Sequence, residues 1–304
     1  MHAETPVERL PRWKVWLLAT RPATLTAALA PVIVGAAAAY HAAGRAGFRT
    51  ASLVAAALGA IFIQIGTNLA NDVFDYEKGA DTAERLGPLR VTQAGLLTPA
   101  TVRAGMVASF VLATLAGAYL VAVSGWPIVA IGLASIASGV AYTGGPYPLG
   151  YNGLGDVFVF VFFGLVAVTG TAFVTLGHVP TLAWLAAVPV GALSTAVLVV
   201  NNTRDHETDV KAGKRTLVVR FGRAFGVGEY IACWVVAWTL PLFLAASLGS
   251  PLFALPLVTV PMGVRLIGGV VRLRGKALNP LLADTAKMLL LHSVLMALAL
   301  VFGR

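Results

Sequence analysis

Apolar runs long enough to cross a bilayer follow one another along almost the whole chain, and this pattern leaves room for only one kind of fold. A membrane-spanning helix needs roughly 20 apolar residues at ~1.5 Å rise each. On that basis about nine spans are expected, over roughly 22–42, 51–72, 101–123, 126–144, 154–176, 181–201, 227–248, 250–271 and 282–302. Only Leu248-Gly-Ser-Pro251 separates the seventh from the eighth. Composition agrees, with 58% hydrophobic and 12% charged residues and a mean hydropathy of +0.83. A soluble domain of this length carries far more charge, so the expected class is an all-α integral membrane protein.

The formal net charge is +9. Its placement argues against nucleic acid as a partner, because the Lys and Arg residues form no contiguous stripe. They gather instead in alternate interhelical loops: Arg9, Arg12, Lys14 and Arg21, then Lys78, Arg85, Arg90 and Arg103, then Arg204 to Arg223 and Arg272 to Lys287. The opposite loops hold only Arg45 and Arg49, with Arg304 at the terminus. The positive-inside rule then predicts a multi-pass protein of the inner (cytoplasmic) membrane with its N-terminus in the cytoplasm. Residues 1–20 read as a cytoplasmic leader, since Met1 to Arg12 mixes two Glu with two Arg and has no apolar core. Residues 21–304 read as one transmembrane domain of two pseudo-equivalent parts, about 21–145 and 154–304. The single Cys233 lies in an apolar run, which excludes disulfides and suggests inert packing.

Two polar stretches break this pattern on the side expected to be cytoplasmic. The first runs Asn68-Leu-Ala-Asn71-Asp72-Val-Phe-Asp75-Tyr-Glu-Lys-Gly79-Ala-Asp81, and the second runs from Asn201-Asn202-Thr-Arg204-Asp205 through Asp209 to Gly213-Lys214-Arg215. Carboxylates are expensive at the end of a membrane helix, so they are read as functional. Asn68, Asp72 and Asp75 stand at i, i+4 and i+7, and Asn201, Asp205 and Asp209 at i, i+4 and i+8, so each set lines one helix face. Two such faces turned towards each other would make an all-oxygen pocket for a hard divalent cation such as Mg²⁺. An interfacial cap would need only one acid. The five His residues are scattered without zinc-type spacing.

Cations stand close to these acids. Arg90, Lys214 and Arg215 are expected to bind an anion, while Lys78, Arg223 and Arg272 read as topology charges. No Gly-rich phosphate loop is present, which points away from nucleotide hydrolysis. A diphosphate held by carboxylates, metal and basic side chains fits the pattern. Gln64 and Thr67 should share the first acidic face. Tyr142 and Tyr147 could either stack on an aromatic substrate or anchor at the membrane interface. Asp156 is either a helix N-terminal acid or part of the site, and Asp284 with Lys287 reads as a structural i, i+3 pair.

The chain resembles the UbiA-type intramembrane prenyltransferases, and within them the branch acting on 1,4-dihydroxy-2-naphthoate in menaquinone synthesis. Arg21-Pro-Ala-Thr-Leu-Thr-Ala-Ala-Leu-Ala-Pro31, Asn71 through Asp81, Gly87-Pro-Leu-Arg-Val-Thr-Gln-Ala-Gly95, Tyr142-Thr-Gly-Gly-Pro146, Gly153-Leu-Gly-Asp-Val-Phe-Val-Phe160 and Asn201 through Thr216 carry the likeness. The third acid of the first motif, Asp81, falls where that branch has it; 4-hydroxybenzoate enzymes usually place it two residues earlier, where this chain has Gly79. Asp156 stands where that branch is expected to have Glu. The resemblance implies about nine helices around a central cavity. It implies one Mg²⁺ on Asn68, Asp72 and Asp75 and a second on Asp205 and Asp209, both bridging to a polyprenyl diphosphate. Asn71, Asp81, Arg90, Tyr142, Asn201, Asn202, Arg204, Lys214 and Arg215 would complete the substrate site. The implied reaction prenylates 1,4-dihydroxy-2-naphthoate with loss of CO₂, and Asp205 or Asp209 is the candidate base. Other aromatic acceptors such as 4-hydroxybenzoate or homogentisate are the nearest alternative, and a cation transporter is an alternative of another class.

Overall fold

The computed structural model describes residues 10–80 and 85–303, and every regular element among them is helical. A short helix, α1, spans Arg12–Thr20, where the sequence suggests only a leader. The remaining long helices are α2 (Pro22–Ala43), α3 (Thr50–Glu77), α4 (Pro99–Ser124), α5 (Pro127–Ala141), α6 (Gly155–Leu176) and α7 (Thr181–Lys211). After the short α8 (Leu217–Phe221) come α9 (Arg223–Leu248), α10 (Pro251–Arg272) and α11 (Asn279–Phe302). Eight of the described helices are long and apolar enough to cross a membrane. The expected ninth, α5, has only 15 residues, or ~22 Å, against a hydrocarbon core of ~30 Å. It stops early because the chain turns at Tyr142 into an irregular segment that passes back over the cavity.

Helices α3 and α7 overrun their expected ends, reaching Glu77 and Lys211. Hydropathy falls at the first acid, but backbone hydrogen bonding does not. Nothing in 73–77 or 202–211 interrupts a helix, and only the glycines at 79 and 213 do. The acidic stretches are therefore the helical continuations of two spans.

Helix α7 is the most buried of the eight spans. Its Ala186, Val190, Leu193 and Val200 share a core with Val34 of α2, Val168 of α6, Trp234 of α9 and Leu289 of α11. A second cluster joins Val15 of α1, Leu69 and Val73 of α3 and Val102 of α4 to Val91 in the segment that follows α3. In the first core the backbones touch. A Cβ on Gly35 would lie 2.3 Å from the Val168 carbonyl oxygen, and one on Gly164 would lie 2.6 Å from Gly191 Cα. Small residues let membrane helices approach this closely. Gly164 falls in a π-helical turn over Phe160–Val166, which also turns Phe162 and Phe163 towards the cavity. Gly35→Ala is expected to destabilise the protein by about 1–3 kcal/mol through overpacking. Thermal unfolding in detergent reads this, and an unchanged midpoint would mean that α2 and α6 can separate freely.

Helices α2 to α7 surround a cavity of about 610 Å³, closed on one side by Leu282 and Ala286 of α11. Its walls are apolar over most of their length, with Ile63, Leu120, Ile131, Phe158 and Val166 among the lining residues. The polar residues crowd at the end where α3 and α7 leave the apolar region.

Candidate active site

The two acidic helix ends share one local geometry. In α3, the Ala80 amide donates to the Asp75 carbonyl at 2.9 Å and the Gly79 amide to Tyr76 at 3.0 Å. In α7, the Lys214 amide donates to the Asp209 carbonyl at 2.9 Å and the Gly213 amide to Val210 at 3.1 Å. Both are Schellman caps, whose left-handed position is filled by glycine with φ +68° and +71°. Asp75 and Asp209 thus occupy equivalent positions, and both line the cavity.

Each cavity carboxylate has its own cation. Asp75 accepts from Arg90 Nη2 at 3.0 Å and from the Tyr151 hydroxyl at 2.8 Å. Asp205 accepts from Arg204 at both oxygens, at 2.8 and 2.5 Å. Asp209 lies 3.4 Å from Lys214 Nζ. For Lys214, burial alone favours the neutral amine, but the charges of Asp75 and Asp209 and the hydrogen bond to Asp209 outweigh it and raise its pKa. The ammonium also sits 4.9 Å from the centre of the Tyr151 ring. Burial first, and then the carboxylates of Asp156, Asp75 and Asp209, push the Tyr142 phenol well above its usual range, so it stays a neutral hydroxyl.

Asn71, Asp75, Arg90, Tyr142, Asn201, Asn202, Asp205, Asp209 and Lys214 all line the cavity, as do Gln64 and Thr67. Four residues picked from the sequence behave differently, and Asp81 lies outside the described residues. Asp72 is buried but turned aside, its two oxygens accepting the Val91 and Thr92 amides at 3.1 Å each. At ~100° per residue, Asp72 points about 100° away from Asn71 and about 60° from Asp75. The spacing i, i+4, i+7 is compatible with a shared face, and the packing of the 91–97 segment decides otherwise. Asn68 lines the cavity one level deeper. Its amide donates to the Thr20 carbonyl at 3.0 Å and to Thr24 Oγ1 at 2.8 Å, and its oxygen accepts from Gln64 at 3.2 Å. Arg204 is consumed in fixing Asp205, Asn201 and Asn279. Arg215 is exposed and does not line the cavity, because the chain passes from Lys214 to Thr216 with that side chain turned outwards.

Other residues enter the site without having been singled out. Tyr151 bridges both halves, touching Asp75 and facing Lys214 and Lys78. Thr143 Oγ1 donates to the side-chain oxygen Oδ1 of Asn71 at 2.9 Å, and Lys78, read above as a topology charge, donates to the Thr143 backbone carbonyl at 2.6 Å. Arg85 and Arg21 line the cavity as well. Tyr151 lies in the same Gly-rich run as Tyr142 and Tyr147, which was its only signal in the sequence. Asp156 is buried outside the lining, with its carbonyl accepting from Thr195 at 3.5 Å. Asp284 and Lys287 form an exposed ion pair at 2.8 Å.

Residues 28–301 match the model of the UbiA prenyltransferase family. The chain belongs to this family. UbiA family membership and eight membrane-length helices make it a multi-pass membrane protein. The chain is 40% identical over 292 residues to a 1,4-dihydroxy-2-naphthoate octaprenyltransferase of Mycobacterium tuberculosis, covering 95% of this chain and 97% of that one. It is 36% identical over 302 residues to the Escherichia coli K12 protein of the same name, covering 96% and 97%. A UbiA homolog from Archaeoglobus fulgidus, solved bound to DMAPP and Mg²⁺, superposes with a TM-score of 0.66 at 15% identity, covering 94% of this chain and 98% of that one. The apo structure of a UbiA homolog from Aeropyrum pernix K1 also gives 0.66, at 14% identity, covering 90% and 94%. At those identities the two structures establish the UbiA fold.

Proposed function

We propose that this UbiA protein transfers a polyprenyl group from its diphosphate to 1,4-dihydroxy-2-naphthoate, at the cytoplasmic end of a cavity in the cell's inner membrane. The observation that carries this reading is one cavity with two chemistries: matched carboxylate–cation pairs at one end and apolar walls along the rest. A diphosphate with a lipid tail needs both. The relatives named above supply the acceptor, and the loop bias in Lys and Arg supplies the orientation.

The donor set fits a hard cation. Asp75, Asp205 and Asp209, with the Asn71 carbonyl oxygen, offer only oxygen, which suits Mg²⁺. No three His, Cys, Asp or Glu among the described residues gather into a ready-made metal cage. That agrees with an ion that keeps waters and takes phosphate oxygens from its substrate. When bound, the ion neutralises charge that builds up on the departing diphosphate. Arg85, Arg90 and Lys214 are placed to hold phosphate oxygens once the diphosphate competes with the carboxylates for them. The Tyr151 hydroxyl keeps Asp75 oriented. Phe158, Phe162 and Val166 keep water from the allylic carbon after its C–O bond breaks with the electron pair leaving on diphosphate. The ring then forms its new C–C bond with that carbon and CO₂ departs, giving the reduced, dihydroxy form of demethylmenaquinone. Asp205 or Asp209 would take the hydroxyl proton that makes the ring more nucleophilic and return it to that oxygen once CO₂ has left.

The test uses purified protein in detergent with Mg²⁺, a polyprenyl diphosphate and 1,4-dihydroxy-2-naphthoate, with mass spectrometry of the product. Prenylated, decarboxylated naphthoquinol is expected, and EDTA should abolish it until Mg²⁺ is restored. Product from 4-hydroxybenzoate alone would overturn the acceptor. No product from either, in protein that still binds Mg²⁺, would favour a cation transporter.

A further inference from the structure

Arg21 is the one non-glycine residue with a left-handed backbone among the described residues, at φ 50° and ψ 70°. It closes α1 and opens α2 at once, and Pro22 behind it excludes the ordinary helical conformation. Glycine is the residue this corner favours, since a Cβ in the left-handed region is strained. The strain has a visible result: the side chain lines the cavity, and one terminal guanidinium nitrogen, Nη2, is fully buried. An arginine serving only topology would extend its head to the headgroup water. The corner is fastened from both sides. Asn68 holds the Thr20 carbonyl at 3.0 Å and Thr24 Oγ1 at 2.8 Å, and Thr24 donates to the Arg21 carbonyl at 2.9 Å.

The corner that carries Arg21 lies at a different height from the carboxylates that hold the other cations. Arg90 and Lys214 stand on Asp75 and Asp209. The Arg21 corner is tied to Asn68, seven residues before Asp75 on α3, or ~10 Å deeper along the helix. Thr24 and Gln64 beside it line the cavity too, making a polar patch within otherwise apolar walls. A diphosphate gripped at the Asp75 level leaves this patch facing whatever stands beyond the allylic carbon. The acceptor in the proposed reaction is itself an anion, and an arginine fork matches a carboxylate. We propose that Arg21 is the specificity-determining residue that holds the carboxylate of the aromatic acceptor. This rests on the prenyltransferase reading and adds to it a preference for an aromatic acid over the same ring without its acid.

Arg21→Gly removes the guanidinium while relaxing the backbone, and Arg21→Lys keeps charge without the fork; thermal unfolding in detergent establishes that each variant is folded before its constants are compared. KM is measured separately for the naphthoate and for the prenyl diphosphate. Ki is measured anaerobically for 1,4-dihydroxynaphthalene, the same ring lacking the carboxylate, competing against the naphthoate. Arg21→Gly should raise the acceptor KM by about tenfold or more, with Arg21→Lys in between, while the donor KM and the Ki of the neutral ring stay within about twofold. A rise in donor KM instead would assign Arg21 to the diphosphate and overturn the proposal. Unchanged constants, as expected if Arg21 meets a lipid phosphate, would overturn it too, as would an equal loss for both rings. If the parent protein makes no prenylated naphthoate at all, the underlying reading fails first, and that outcome is visible before any variant is compared.

Discussion

Asp75→Asn is expected to lower the rate of prenyl transfer by on the order of 10²–10³-fold, the loss typical of removing one group that stabilises charge as it develops, and to raise the Mg²⁺ concentration needed for half-maximal activity. The amide keeps one oxygen for Arg90 and turns its NH₂ towards Tyr151, whose hydroxyl can rotate to accept it. The lost counter-charge of Arg90 lowers stability as well, so thermal unfolding of the same variant is read beside its rate. Asp72→Asn, three residues away, should behave differently. Its carboxylate accepts two backbone amides in the 91–97 segment. The amide can accept one and must turn an N–H towards the other, at a cost of about 1–3 kcal/mol for a buried unpaired group. The melting temperature should fall while the Mg²⁺ requirement stays put. Metal titrations of activity on the two variants decide the matter. A raised Mg²⁺ requirement in Asp72→Asn with normal stability would return Asp72 to the metal ligands. Equal Mg²⁺ curves for parent and Asp75→Asn would remove Asp75 from them.

That contrast marks how far the sequence could be read. The spans, the two acidic ends and the glycine just beyond each were legible, because hydropathy and helix-ending chemistry are local. Which acid of a stretch faces the cavity was not. Helical spacing groups residues to within about a quarter turn, and Asn71 and Asp72, about 40° and 60° to either side of Asp75, both fall inside it. The choice between them was made by the segment 91–97, packed on Asp72 from outside the helix. Tyr151 was hidden for a related reason: a turn-rich run shows that the chain bends, not which helix end it bends towards. Asn279, at the start of α11, lies 75 residues from Arg204, and no local pattern connects them. Arg21 looked like a topology charge because its left-handed backbone comes from a corner that two helices and Asn68 impose together.

The same long-range packing makes Arg204→Met the substitution expected to cost the most stability, about 3–5 kcal/mol, the usual consequence of removing one partner from a buried ion pair. Arg204 is 2% exposed. Its guanidinium donates to both Asp205 oxygens, to Asn201 Oδ1 at 2.7 Å and to Asn279 Oδ1 at 2.9 Å. Asn279 in turn donates to the Leu86 carbonyl at 2.9 Å, so one side chain fastens α7, the start of α11 and the segment carrying Arg85 and Arg90. Gly87 leaves the space it occupies, since a Cβ there would fall 2.7 Å from Arg204 Nη2. Methionine fills much of the volume but leaves the Asp205 charge without its guanidinium and Asn279 Oδ1 without its donor. Arg204→Lys keeps the charge and loses the planar fork, so it should fall between. Neutralising Asp205 in the same protein, as Arg204→Met/Asp205→Asn, should recover part of the loss, with a coupling of about 0.5–3 kcal/mol for residues in one network. Thermal unfolding of the four proteins in one detergent gives that coupling. Strict additivity would mean that water, and not Arg204, carries the Asp205 charge. Coupling with activity still absent in the double variant would separate the two roles of the pair, with Arg204 holding the frame and Asp205 acting within it.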